Sequence, residues 1–388
     1  MLQKLPVFIL LALTTLLGAC TSSTKPSGHL VIVGGGLEDD NAAVFTRFVE
    51  LCADGPIGIV PTASGDGLEA GEHSAARWRK WAGTREVVVI PLTQFDAAKA
   101  SDPAIIAQID SCGGLWFTGG DQSRIVAVFR PEGKDTPAMQ AVRRVLDKGG
   151  VVGGTSAGAA MMSDPMITGG RSRSGKSTDP ENQDDRRVRT GPGLGLFTLG
   201  LTDQHFLERG RMGRLIDAMQ DTGVTTGVGI SENSALVVPV GTQELWETIG
   251  PRSICLIDAS EPGAFVGETA TVRLSVLDTF KVTDALGEMI FAATVQRLGA
   301  TSESVHQSRI FKPIERDGFI AIISDVDNVW AHTQMTRVFD EFSRGKRGTI
   351  ELRDRTTELT ITADDHTHVV DVKGSILIND LLVEVRPR

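Results

Sequence analysis

Gly150-Val151-Val152-Gly153-Gly154-Thr155-Ser156-Ala157-Gly158-Ala159 reads as a buried strand that runs into a sharp glycine turn and then into a helix of small residues. Its centre, Gly154-Thr155-Ser156-Ala157-Gly158, fits the pattern G-x-S-x-G. Glycines flank the serine there because bulkier neighbours would clash in so tight a strand-to-helix turn. Such a turn projects the Ser156 hydroxyl at the end of a sheet. It also aims the N–H of Ala157, at the helix start, towards the place where an oxyanion would develop.

Upstream, apolar runs alternate with amphipathic stretches. Leu30–Val33 is a strand ending in Gly34-Gly35-Gly36, and Val44, Phe48 and Leu51 recur about one helical turn apart. Ile57–Val60 and Glu86–Ile90 are further strands, each closed by a proline, with a helix over Leu68–Trp81 between them. A short helix over Ile105–Ile109 precedes the strand Leu115-Trp116-Phe117, which ends in Gly119-Gly120, and two helical stretches surround Pro131–Pro137. Continuously apolar strands separated by helices predict an α/β fold, an open and mostly parallel sheet with helices on both faces. Sheets of this kind bind ligands at the carboxyl ends of their strands, where these glycine runs fall.

The segment Gly169–Pro192 is polar, has no apolar period, and reads as a long loop, either a lid or a solvated excursion. Beyond residue 298 the texture changes. Gly318–Ile323 reads as a strand, Asn328–Phe342 as an amphipathic helix, and Ile350–Val385 as short alternating strands, together a small β-rich extension over 299–388. The main domain is then 29–298. The first twenty residues read as a targeting segment. Lys4 precedes an apolar run over Leu5–Leu17, too short to span a bilayer comfortably, and Leu17-Gly18-Ala19-Cys20 resembles a lipobox in which Cys20 is lipidated. Residues 21–28 read as a flexible tether. The expected location is the cell envelope, outside the cytoplasm, with a membrane contact through this lipid.

The formal charge of −10 argues against a nucleic-acid partner, and the absence of tyrosine excludes a tyrosine nucleophile or acid. Cys52, Cys112 and Cys255 lack metal-ligand spacing and read as small buried hydrophobes. No metal or cofactor is expected.

A serine needs a base. His29, His73, His306 and His332 belong to no motif, and His366 and His368 share one face of an expected strand. His205, in Asp203-Gln204-His205-Phe206, stands with polar neighbours at a strand end. The group orienting its imidazole is Glu232, in Gly229-Ile230-Ser231-Glu232-Asn233, with Asp203 as the competitor. The chain order Ser156, His205, Glu232 differs from that of the α/β-hydrolases, where the acid precedes the histidine. Gly120 would supply a second oxyanion donor and Gln122 would orient a substrate. Arg209, Arg211 and Arg214 start the next helix, where cations oppose the dipole, so a carboxylate-binding role is the reading.

Together, Gly35-Gly36-Leu37-Glu38-Asp39, Gly119-Gly120-Asp121-Gln122, Gly154–Ala159, Asp203–Phe206 with the three arginines, and Gly229–Asn233 resemble the cyanophycinase family of serine peptidases over residues 29–290. The resemblance implies a flavodoxin-like core similar to dipeptidase E and the class I glutamine amidotransferases. It implies Ser156 as nucleophile, His205 as base and Glu232 as orienting acid, with Gln122, Asp203, Gln204, Arg209, Arg211 and Arg214 in substrate recognition. The implied substrate is cyanophycin, a polyaspartate bearing arginine on each side-chain carboxyl, cut to β-aspartyl-arginine. Short aspartyl or isoaspartyl peptides are the enzymatic alternative, and polymer binding without catalysis is the other. The C-terminal extension has no counterpart in the short enzymes of the family. Polymer binding, packing on the core and support of a homodimer are its three readings.

Overall fold

The computed structural model describes residues 28–170, 188–241, 246–267, 269–277, 319–321, 348–353, 357–363, 367–372 and 375–387. The targeting segment with Cys20, most of the expected lid, the helix expected over Asn328–Phe342 and the boundary expected at 298/299 lie outside the described residues. In chain order the first elements are β1 (His29–Val33), α1 (Ala42–Leu51), β2 (Ile57–Val60), α2 (Leu68–Arg79), β3 (Val87–Val89), α3 (Pro103–Ser111), β4 (Gly114–Phe117), α4 (Gln122–Phe129), α5 (Pro137–Asp147), β5 (Val151–Thr155) and α6 (Ala157–Ala160). There follow β6 (Met166–Gly169), β7 (Arg189–Gly191), β8 (Leu201–Gln204), α7 (Met212–Thr222), β9 (Thr226–Ile230), β10 (Ala235–Pro239), β11 (Glu247–Ile249), β12 (Ile254–Asp258), β13 (Phe265–Val266) and β14 (Thr269–Leu277). The last strands are β15 (Phe319–Ala321), β16 (Gly348–Arg353), β17 (Thr357–Ala363), β18 (His368–Val372) and β19 (Ser375–Pro387).

The helices start where local chemistry satisfies their free N–H groups. Asn41, Asp102, Asp121 and Thr136 each accept a hydrogen bond from an amide two or three residues on, capping α1, α3, α4 and α5. Pro103 and Pro137 occupy first-turn positions, where a missing N–H costs nothing.

The first sheet runs in the order β11-β10-β1-β5-β4-β2-β3. Its members β1, β5, β4, β2 and β3 are parallel, and β10 and β11 extend it antiparallel. All of β2 and β4 is buried, which accounts for their unbroken apolar sequence. One face packs on Phe117, Phe129 and Val142, the other on Phe48, Trp78 and Trp116, whose rings meet at tilted or edge-on angles.

The sequence predicts one sheet with a small appendage, whereas the structure has two large sheets. The second runs β15-β16-β17-β19-β14-β12-β9-β8. Its strands β8 and β9 are parallel, and β9, β12, β14 and β19 follow antiparallel. The C-terminal strands therefore continue the sheet that begins at β8. Alternate residues of β14 (Ala270, Val272, Leu274, Val276) and of β19 (Leu381, Val383, Val385) join one apolar cluster with Leu215 and Met219 of α7. The expected loop 169–192 is also framed differently: its two ends pair as β6 and β7.

Candidate active site

Ser156 follows β5 of the first sheet, while His205 and Glu232 follow β8 and β9 of the second. The three side chains meet. Ser156 Oγ lies 2.9 Å from His205 Nε2, and His205 Nδ1 lies 2.5 Å from Glu232 Oε1. A carboxylate only accepts hydrogen bonds, so Nδ1 carries the proton and Nε2 is left to accept from the serine hydroxyl. Glu232, rather than Asp203, faces the imidazole.

The backbone is bent to produce this meeting. Ser156 has φ 55° and His205 has φ 47°, a region non-glycine residues seldom occupy and one that marks functional turns. A Cβ on Gly154 would lie 2.5 Å from the carbonyl oxygen of Gly158, and one on Gly158 would lie 2.5 Å from that of Phe117. The two glycines of G-x-S-x-G thus let the turn close. The β1–α1 loop completes the enclosure. His205 donates its backbone N–H to the Gly34 carbonyl at 2.6 Å. Gly35, at φ +96°, has no room for a Cβ, which would come 2.3 Å from the imidazole.

Burial disfavours the charged imidazolium and pushes the His205 pKa below its ordinary 6.5. The hydrogen bond and charge of Glu232 oppose that shift, and the charges of Arg209 and Arg211 add to it. A neutral imidazole hydrogen-bonded to a hydroxyl is a general base in waiting. Residues 30–245, more than half of the chain, match the family model described as Peptidase family S51.

The chain belongs to peptidase family S51. As a member of it, the protein is a serine peptidase, a hydrolase. The cyanophycinase of Geminocystis herdmanii is 32% identical to it over 234 residues, covering 59% of this chain and 80% of that protein. The cyanophycinase of Synechococcus elongatus is 33% identical over 240 residues, 60% of this chain and 69% of that one. A crystal structure of a peptidase from an acI-B1 actinobacterium aligns with TM-score 0.45 and 21% identity, covering 59% of this chain and 91% of its own.

In this S51 peptidase the polar residues expected to bind substrate divide into two groups. Asp203 and Arg214 are buried and occupy each other. Arg214 Nε donates to Asp203 Oδ2 at 2.9 Å and Nη2 to Oδ1 at 2.5 Å. The pair ties β8 to α7. The three arginines do not all start a helix either. Arg209 precedes α7, Arg211 is its N-cap residue, and Arg214 lies in its first turn, where Asp203 compensates the charge. Arg211 Nη1 donates to the Gln204 carbonyl at 2.6 Å. Gln122 Nε2 donates to the Ile167 carbonyl at 2.8 Å, which ties α4 to β6. Gln204 is buried at the end of β8, and its Oε1 has no hydrogen-bond partner among the described residues. Gly120, at φ +141°, also has no room for a Cβ, which would lie 2.1 Å from the Ala63 carbonyl oxygen, and the neighbouring Gly119 runs past the Ser156 Cβ. Ala157 stands first in α6, where an N–H has no partner within the helix.

Among the described residues no cluster of His, Cys, Asp and Glu is arranged to hold a metal. Cys52, Cys112 and Cys255 are free. Burial pushes the thiols of Cys52 and Cys112 up to about 12 and that of Cys255 higher still, as inert small hydrophobes require. His368 opens β18, and His366 lies outside the described residues.

Sequence reasoning missed Glu208, Arg252 and the clasp at Asn233. Asn233, at φ 57°, accepts from the Glu38 N–H at 3.0 Å and from Asn41 Nδ2 at 2.7 Å, pinning the β1–α1 loop over the imidazole. Asparagine after the Ile-Ser-Glu run was a legible signal, because asparagine tolerates the left-handed region better than most residues.

Proposed function

We propose that this peptidase hydrolyses cyanophycin to β-aspartyl-arginine dipeptides through an acyl-enzyme on Ser156. The reading is carried by the Ser156–His205–Glu232 relay, set beside two guanidinium groups, Arg209 and Arg211, close enough to act on the imidazole. The relay suits acyl transfer, and the cations suit a carboxylate-rich chain. Two relatives named cyanophycinase at 32% and 33% identity support the substrate.

In this mechanism Ser156 Oγ attacks the scissile carbonyl carbon while His205 Nε2 takes the hydroxyl proton. Glu232 keeps Nδ1 protonated and steadies the imidazolium. The N–H groups of Gly120 and Ala157 receive the oxyanion. The imidazolium then gives its proton to the leaving amine, and water, deprotonated by His205, releases the acyl group. Gln204 Oε1 would accept from an amide N–H of the substrate. The Cys20 lipobox supports anchorage outside the cytoplasm, which suits scavenging of external polymer.

Purified mature protein incubated with cyanophycin should release β-aspartyl-arginine, detectable by mass spectrometry. Release only from short isoaspartyl peptides would favour the peptidase alternative. Failure of Ser156 to react with a serine-directed probe would favour a binder.

Protonated His205 cannot act as base, so kcat/KM should fall as pH drops through the His205 pKa, below 6.5, and level off above it. The sign for stability is the same. The unfolded chain binds this proton more readily than the folded one, so stability is full above 6.5 and declines as pH falls below it. A kcat/KM profile with its acid limb above 6.5 would contradict the assignment.

Gly35→Ala should cut kcat/KM by roughly a hundredfold, because the new methyl group displaces the imidazole by an ångström or more. Steady-state kinetics beside a thermal melt would separate that loss from unfolding. Wild-type kinetics would show that His205 is not held by this loop.

A further inference from the structure

The geometry points to Glu208 and Arg252 as a paired positioning device that fixes the carboxylate of Glu232 and sets the field it exerts on His205. This deepens the reading above and rests on the Ser156–His205–Glu232 relay. The buried Glu208 carboxylate accepts from the Glu232 backbone N–H at 3.0 Å and from Arg252 Nη1 at 2.9 Å. The same Nη1 lies 3.6 Å from Glu232 Oε2, the oxygen not engaged by the imidazole. Both oxygens of Glu232 are therefore spoken for, one by the base and one by a cation.

Each member of the pair is fixed by backbone to the residue it serves. Glu208 lies in the turn after His205, closed by the Arg209 N–H on the His205 carbonyl at 3.0 Å. Arg252 donates its own N–H to Ser234 Oγ at 2.7 Å, two residues beyond Glu232. Gly250, at φ +103°, lets that segment lie flat on the turn, since a Cβ would fall 2.5 Å from the Asn233 carbonyl oxygen. Such close seating is more than a solvated arginine needs.

The charged groups facing the His205–Glu232 pair come from several elements. Glu208, Arg209 and Arg211 follow β8, and Arg252 precedes β12. The adjacent β1–α1 loop also carries charge, but Glu38 is held there through its backbone N–H by Asn233, and the exposed Asp39 carboxylate is turned to Arg77 and Lys80. Glu232, Glu208 and Arg252 together carry one net negative charge. Removing Arg252 leaves two, which favours the imidazolium. Neutralising Glu208 leaves none and frees Arg252 to turn fully on Glu232, which disfavours it. The two changes must therefore move His205 in opposite directions, whereas loss of a merely structural bracket would not.

The test is an NMR titration of the His205 imidazole in the full chain labelled at histidine, assigned by loss of its signal in His205→Asn. The acid limb of kcat/KM is followed in parallel. Arg252→Met should raise the His205 pKa by about half a unit, Glu208→Gln should lower it by a similar amount, and Arg252→Lys should hold it near wild type. Shifts in the same direction, or none in either variant, would overturn the pairing. The titration needs no turnover, so a chain inactive on cyanophycin would sink the substrate reading while leaving this result legible.

Discussion

Ser156→Ala is expected to lower kcat/KM on the peptide substrate about ten-thousand-fold or more, to the level that binding and oxyanion donors sustain alone. The loss should be nearly all in kcat, because the hydroxyl is needed only once a bond begins to form. The melting temperature should stay near wild type. Alanine tolerates φ 55° no worse than serine, and the side chain's hydrogen bond to His205 is a single, half-buried one. His205→Ala should cost a similar factor, and the double variant should be scarcely worse than either, since nucleophile and base act as a unit. Product release measured by mass spectrometry decides the matter. A Ser156→Ala protein keeping a tenth of wild-type activity would remove this residue from the reaction.

The second large effect concerns stability. Asp203 and Arg214 are joined by two hydrogen bonds at 2.9 and 2.5 Å, with side chains 1% and 7% exposed. Asp203→Ala strands a guanidinium away from water and should cost about 3–5 kcal/mol. It also releases the Gln204 N–H that Asp203 Oδ1 accepts at 2.8 Å, so the turn carrying His205 should loosen and activity should fall with stability. Asp203→Leu combined with Arg214→Met removes both charges and should melt closer to wild type than either single change. Chemical denaturation of the wild type, Asp203→Ala, Asp203→Leu, Arg214→Met and the double variant gives the comparison. Additive losses in the double variant would mean that the pair is not coupled.

The parts legible in the sequence were those with local rules. G-x-S-x-G constrains five adjacent residues, and the structure shows why: the first and last glycines touch backbone that no side chain could share. The parallel strands were legible because burial on both faces makes them apolar throughout. The second sheet was not. β14 pairs with β19 about a hundred residues away, and short alternating runs carry no mark of the partner they will find. Among the polar residues, Asp203 and Arg214 read as substrate contacts and the structure shows them paired with each other, a pairing that composition cannot reveal. Glu208 and Arg252 were invisible for a related reason. Each is a single charge in an ordinary loop, and only the fold brings both to the back of Glu232.

With the proposed nucleophile carried by one sheet and its proposed proton acceptor by another, turnover should gauge how well the two sheets are docked. A slip of one ångström along the seam would leave every strand intact and still part Ser156 from His205. Mild heat or denaturant should therefore extinguish hydrolysis ahead of any spectroscopic sign of unfolding. Strand-to-strand continuity from β8 through β19 joins the C-terminal strands to the sheet that carries His205 and Glu232, although they lie far along the chain from the chemistry.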